Sequence, residues 1–139
     1  MKKIILSACI MAFAFVSCKK DSDPVCELNQ ANLVGSYKIT ALKYKADATT
    51  AEVDEFATWD ACEKDDITVL NADNSVTFTD AGAVCTPNGS STGIWAFASN
   101  VFTINGQSGT VSNFSCTGMT VILNGTTAGE TTTITLVKQ

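Results

Sequence analysis

The sequence predicts an all-β domain: an eight-stranded up-and-down antiparallel barrel with a short helix after the first strand. Three observations lead there. From Val34 onward the chain carries about eight short runs that alternate apolar and polar residues, the period of a half-buried strand. Short turns join most of them, so each strand pairs with its predecessor and the sheet grows as a meander. An eight-stranded meander leaves two exposed edges, and pairing the last strand with the first removes both. A Greek-key sandwich needs longer crossovers, for which only residues 45–65 and 85–92 have the length.

Taken in order, residues 28–33 can form one helical turn. In 34–44, Tyr37, Ile39 and Ala41 fall on one strand face and Lys38 and Thr40 on the other. Residues 46–51 read as a loop. Val53, Phe56 and Ala57, set among Glu52, Asp54 and Glu55, read as a short amphipathic turn of helix, followed by Trp59 and Cys62. Runs 67–70 and 76–79 face each other across Asn71-Ala72-Asp73-Asn74, a hairpin signal. Residues 80–82 turn again, and 85–92 form a loop rich in Pro, Asn, Gly and Ser. Strand 93–98 carries Trp95 and Phe97 on one face. It turns at 99–100 into 101–104. Asn105-Gly106 then favours a tight primed turn, because both residues tolerate positive φ. Strands 109–114, 119–123 and 132–137 complete the set, and the last contains no proline to block its pairing with the first.

Composition narrows the function. The chain has 139 residues, no histidine and a net charge of −5. It also has no arginine. An acidic chain without arginine is a poor partner for nucleic acid, whose phosphates need clustered cations. The lack of histidine removes the usual general base and the commonest metal ligand. That argues against Ser/His or Cys/His catalysis and against most zinc sites. No enzymatic activity, cofactor or metal is therefore expected, and the chain is read as a monomer.

At the N-terminus, Lys2 and Lys3 precede an apolar run over residues 4–16, too short for a membrane span and right for the core of a secretory signal. It ends in Phe15-Val16-Ser17-Cys18, which resembles the lipobox of bacterial lipoproteins. The resemblance implies a signal peptide over 1–17 and a lipid on Cys18 as the mature N-terminus. Residues 18–27 then form a polar tether and 28–139 the barrel domain. Loss of the leader leaves 122 residues with a net charge of −7, enough for one core. The implied location is the cell envelope, lipid-anchored to the outer membrane on its periplasmic or surface-exposed leaflet.

Once Cys9 leaves with the leader and Cys18 takes lipid, Cys26, Cys62, Cys85 and Cys116 remain, an even number for an oxidising compartment. Four cysteines allow three pairings, and the expected one is Cys62–Cys85 with Cys26–Cys116. No two of them show a Cys-x-x-Cys spacing, which argues against metal ligation.

Several short stretches together resemble the lipocalin-like domains of bacterial lipoproteins. They are Leu33-x-Gly35-x-Tyr37, Trp59-x-x-Cys62-x-x-Asp65-Asp66, the stretch holding Asn74, Val76 and Phe78, and Cys85 ahead of Gly93-x-Trp95. The resemblance covers about residues 28–138 and implies a barrel that binds a small apolar molecule. Lipocalins usually carry tryptophan where Tyr37 stands, with an arginine from the last strand stacked on it, and this chain has no arginine.

Tyr37, Trp59, Phe78, Trp95, Phe97 and Phe102 are the candidates for lining a ligand pocket. The same side chains would equally serve as core, since an eight-stranded barrel is narrow enough to be filled. Asp60, Glu63, Asp65 and Asp66 match no calcium-loop spacing and read as a solvated loop beside a disulfide. Two functions compete, and an enzyme working through paired carboxylates ranks third. One is a lipid-anchored carrier of a small hydrophobic ligand. The other is a filled barrel acting through its loops as an inhibitor, assembly partner or adhesin.

Overall fold

The computed structural model describes residues 26–139. The expected leader, Cys18 and the tether up to residue 25 lie outside the described residues. A one-turn helix α1 (Gln30–Leu33) leads into β1 (Gly35–Lys45), followed by a two-residue strand β2 (Val53–Asp54), a 3-10 turn (Phe56–Thr58) and a second one-turn helix α2 (Ala61–Lys64). Then come β3 (Ile67–Leu70), β4 (Ser75–Thr79), β5 (Ser91–Ala98), β6 (Val101–Ile104), β7 (Gln107–Ser115), β8 (Gly118–Asn124) and β9 (Thr131–Lys138).

The sheet order is β2-β1-β3-β4-β5-β6-β7-β8-β9, neighbouring strands run antiparallel, and β1 also pairs with β9. That last ladder runs from Tyr37 opposite Lys138 to Lys45 opposite Thr131, with a bulge between Ile39 and Ala41 that sets Ala41 opposite Thr135 and so, against the expected alternation, off the face shared by Tyr37 and Ile39. It closes eight strands into an up-and-down barrel and removes both edges. Val53, expected in a helical turn, instead pairs with Tyr44. The reason is that β3 reaches only as far as Ile67 opposite Lys38. Upper β1 is left with a bare edge, and its backbone groups find partners in β2.

Turn chemistry follows local sequence. Asn105 (φ 49°) and Gly106 (φ 84°) form the β6–β7 turn, both in the left-handed region that a primed hairpin turn requires.

Up-and-down connectivity sorts the loops onto two ends. The short turns at 71–74, 99–100 and 116–117 share one end with α1. The long connections 46–66, 80–90 and 125–130 share the other with Asn105-Gly106. The first end is plugged. Leu33, Tyr37, Leu70, Val76 and Trp95 are almost fully buried there. Tyr37 Oη donates to the Leu33 carbonyl at 2.8 Å, and Trp95 Nε1 donates to the Asn71 carbonyl at 2.9 Å. Lys138 Nζ, from the last strand, lies 5.7 Å from the centre of the Tyr37 ring. It also donates to the Asn32 carbonyl at 3.1 Å. A lysine thus stacks on the Tyr37 ring in a chain that has no arginine.

Two disulfides brace the barrel. Cys26 is joined to Cys116 at the plugged end, with Cα atoms 5.2 Å apart. Cys62 is joined to Cys85 at the opposite end, with Cα atoms 5.3 Å apart.

Candidate functional site

The inner face changes character along the barrel axis. Above the buried layer of Phe102, Val111, Met119, Val121 and Leu136, the inward positions become aliphatic and less tightly filled. A cavity of about 290 Å³ opens there, walled by Ile39, Phe78, Phe102, Ile104, Leu123 and Ile134, with Thr68, Asn105 and Gln107 as its polar members. Gly109 lets β7 come close to β8 on this wall: a Cβ there would meet Leu123 Cδ2 at 2.6 Å and Val121 Cγ1 at 2.8 Å. Asn105 Oδ1 accepts the Ile94 N–H at 3.0 Å, which fixes one rim residue in place.

A second recess of about 370 Å³ continues outward. It shares Ile39, Thr68 and Phe78 with the first and adds Trp59, Asp66, Gly89 and Ser91. Strands β1, β3, β4 and β5 supply most of its walls, and two long connections add Trp59 and Asp66 from the first and Gly89 from the second. Cys62–Cys85 ties these loops together, and carboxylates hold the second one by its backbone. Asp80 is buried and accepts the Cys85 N–H at 3.0 Å and the Gly89 N–H at 3.0 Å. Asp65 Oδ2 accepts the Ala83 N–H at 2.8 Å, and Asp66 Oδ1 accepts the Ala81 N–H at 3.3 Å. Charge-assisted bonds of this kind are about twice as strong as neutral ones, so the rim is built rather than loose.

Asp65 and Asp66 are therefore half-buried structural acceptors, not members of a solvated loop as expected. The β4–β5 loop folds back over them and needs acceptors for its N–H groups. The Asp60 N–H donates to Glu63 Oε2 at 2.8 Å, and these two acids cap α2 locally. Among the described residues no three metal-capable side chains converge.

Burial holds the Asp66 carboxyl above the ordinary carboxylate range, reinforced by the nearby charges of Asp80, Asp65 and Glu63 and opposed by the Ala81 N–H. The folded state thus keeps this proton to a higher pH than the unfolded chain does. Ionising Asp66 costs stability as pH rises from the unfolded value of 3.8 through the raised folded value. Asp66→Asn should remove that loss. Melting curves between about pH 3 and 7 should show the parent falling relative to the variant as pH rises. Parallel curves would contradict the assignment.

Of the aromatic residues expected to line a pocket, Phe78 and Phe102 wall the inner cavity, and Trp59 and Phe78 wall the outer recess. Tyr37 and Trp95 lie instead in the plugged end, 1% and 2% exposed. Phe97 packs, partly buried, against the core. The structure sets Phe78 among Ile39, Ile104, Leu123 and Ile134 in the inner cavity, and Trp59 with Ile39 and Phe78 in the outer recess; sequence reasoning did not single out these aliphatic residues. A signal for them existed: each lies two positions from a residue buried in the core, namely Tyr37, Phe102, Val121 and Leu136, and so faces inward with it.

A closed eight-stranded meander, plugged at one end by a helix and open at the other into an apolar cavity, narrows the possible relationships. A family model described as the lipocalin-like domain matches residues 33–135. The chain belongs to the lipocalin-like domain family. No curated protein and no solved structure matches it. The lipocalin-like fold supports a small-ligand-binding domain. In this lipocalin-like barrel the cavity lies where such a ligand would sit, between the plug and the open rim.

Proposed function

We propose that this lipocalin-like domain is a binding module, not an enzyme, that takes a small and mainly apolar molecule into its barrel. The observation that carries the reading is the aliphatic cavity of about 290 Å³, continuous with the rim recess. Apolar walls with a few placed polar groups are the usual make-up of a small-molecule site. Thr68, Asn105 and Gln107 supply those groups. Of the exposed large apolar residues Val53, Val84, Ile94, Val101 and Val137, only Ile94 and Val101 stand on neighbouring strands, which gives little support to a broad protein-docking patch.

The proposal includes a lipid on Cys18 that moors the chain in the cell envelope after removal of residues 1–17. The Cys26–Cys116 bond lies at the plugged end. A tether leaving from Cys26 would hold that end towards the membrane and turn the mouth away from it, where a soluble ligand can reach it.

Three experiments test this. Native mass spectrometry of the protein purified from its host should find a bound small molecule. Leu123→Trp places an indole in the cavity wall and should weaken binding of diphenylhexatriene, a neutral fluorescent probe, at least about tenfold. Unchanged probe affinity would overturn the cavity as the binding site. Radiolabelled palmitate should enter the parent and not Cys18→Ser.

A further inference from the structure

The charge around the cavity is one-sided. Within the two contiguous recesses Asp66 is the one charged residue on the walls among the described residues, and no cation lines either. The loops at the mouth carry Asp47, Glu52, Asp54, Glu55, Asp60, Glu63, Asp65, Asp80 and Glu130 besides. Of the described acids only Glu27 and Asp73 lie elsewhere. None of the described lysines lines either recess: Lys38 stands on β1 opposite Ile67, and Lys43 and Lys64 are engaged elsewhere. Lys43 Nζ pairs with Glu52 at 3.2 Å. Lys64 Nζ donates to the Ala57 carbonyl at 3.3 Å and lies over the Phe56 ring. Lys45 stands at the outer end of β1 and lines neither recess.

Such a mouth disfavours an anion twice. A carboxylate ligand would enter a field of like charge, and inside it would find no cation to replace its lost hydration. A protonated amine meets the opposite situation. Asp66 shares the outer recess with Trp59 and Phe78, and a carboxylate and aromatic rings are the groups that attract an ammonium. The aliphatic inner cavity would take the rest of the molecule.

We infer that the barrel selects an amphipathic cation: an apolar body seated in the inner cavity, with a protonated amine held at the rim by Asp66 and Trp59. This rests on the reading of the cavity as the ligand site and adds the ligand's charge class. Fatty acids would be excluded.

Calorimetric titration of the purified full chain with decylamine, decanol and decanoate, each below its micelle concentration, tests it. The three share one tail and differ in head-group charge. Decylamine should bind about tenfold more tightly than decanol, a figure set below that of a buried ion pair because the rim is partly solvated. Decanoate should bind most weakly, and Asp66→Asn should bring the amine-to-alcohol ratio close to one. Equal affinities, a preference for decanoate, or an amine preference that survives in Asp66→Asn would overturn the charge inference and leave the cavity reading standing. If none of the three binds, both fall.

Discussion

A chain in which Cys26 and Cys116 are both serine should unfold more readily than the parent by about 4–5 kcal/mol. The two cysteines are 90 residues apart in sequence, so their bond closes a loop around almost the whole barrel. Opening it restores the conformational freedom of that long loop to the unfolded chain. Cys62 and Cys85 are only 23 residues apart, and the same reasoning gives their removal a smaller cost of roughly 3–3.5 kcal/mol. Single domains have total stabilities of roughly 5–15 kcal/mol, so the first variant should be marginal at room temperature. Urea titrations of the two double-serine variants read the difference directly. An equal effect, or a larger loss at Cys62–Cys85, would show that native contacts and not loop entropy set the stabilisation.

Trp95→Ala should cost about 3–5 kcal/mol from lost packing alone. The indole is 2% exposed and lies 6.0 Å from the Phe102 ring, centre to centre. It also satisfies the Asn71 carbonyl at 2.9 Å, an acceptor that the variant leaves without its donor. Trp95→Phe keeps most of the packing and loses only that bond, so it separates the two contributions. The expected order of denaturation midpoints is parent, then Trp95→Phe, then Trp95→Ala. Trp95→Ala should leave diphenylhexatriene binding largely intact when the protein is folded, because Trp95 belongs to the plug and lines neither recess. A probe affinity that falls as far as in Leu123→Trp would place Trp95 in the ligand site.

Much of the barrel is legible in the sequence because strand period and turn chemistry are local. Thr120, Ile122 and their neighbours alternate over Gly118–Asn124 as the ladder requires, and Asn105-Gly106 turns as its backbone preferences dictate. The site is less legible. Asp80 resembles any turn residue in the sequence, yet the loop wraps around it and donates two N–H groups to its carboxylate. Those donors come from five and nine residues away, a distance at which no local pattern operates. Val53 departs from its expected helical turn for a similar reason. Its partner Tyr44 lies on the free edge of β1, and that edge is a property of the sheet and not of the segment.

By itself the sequence determined the order of the eight barrel strands, most of their turns, the alternation of each strand except past the β1 bulge that turns Ala41 away from Tyr37 and Ile39, and an acidic composition without arginine or histidine. Only the tertiary structure decided which inward residues plug the barrel and which line a cavity. Alternation reports the face of a strand, but height along the barrel axis depends on tilt and stagger between strands, and on which loops fold over each end. Tyr37 and Ile39 are two residues apart on one face, yet Tyr37 is sealed beneath α1 while Ile39 borders the open cavity.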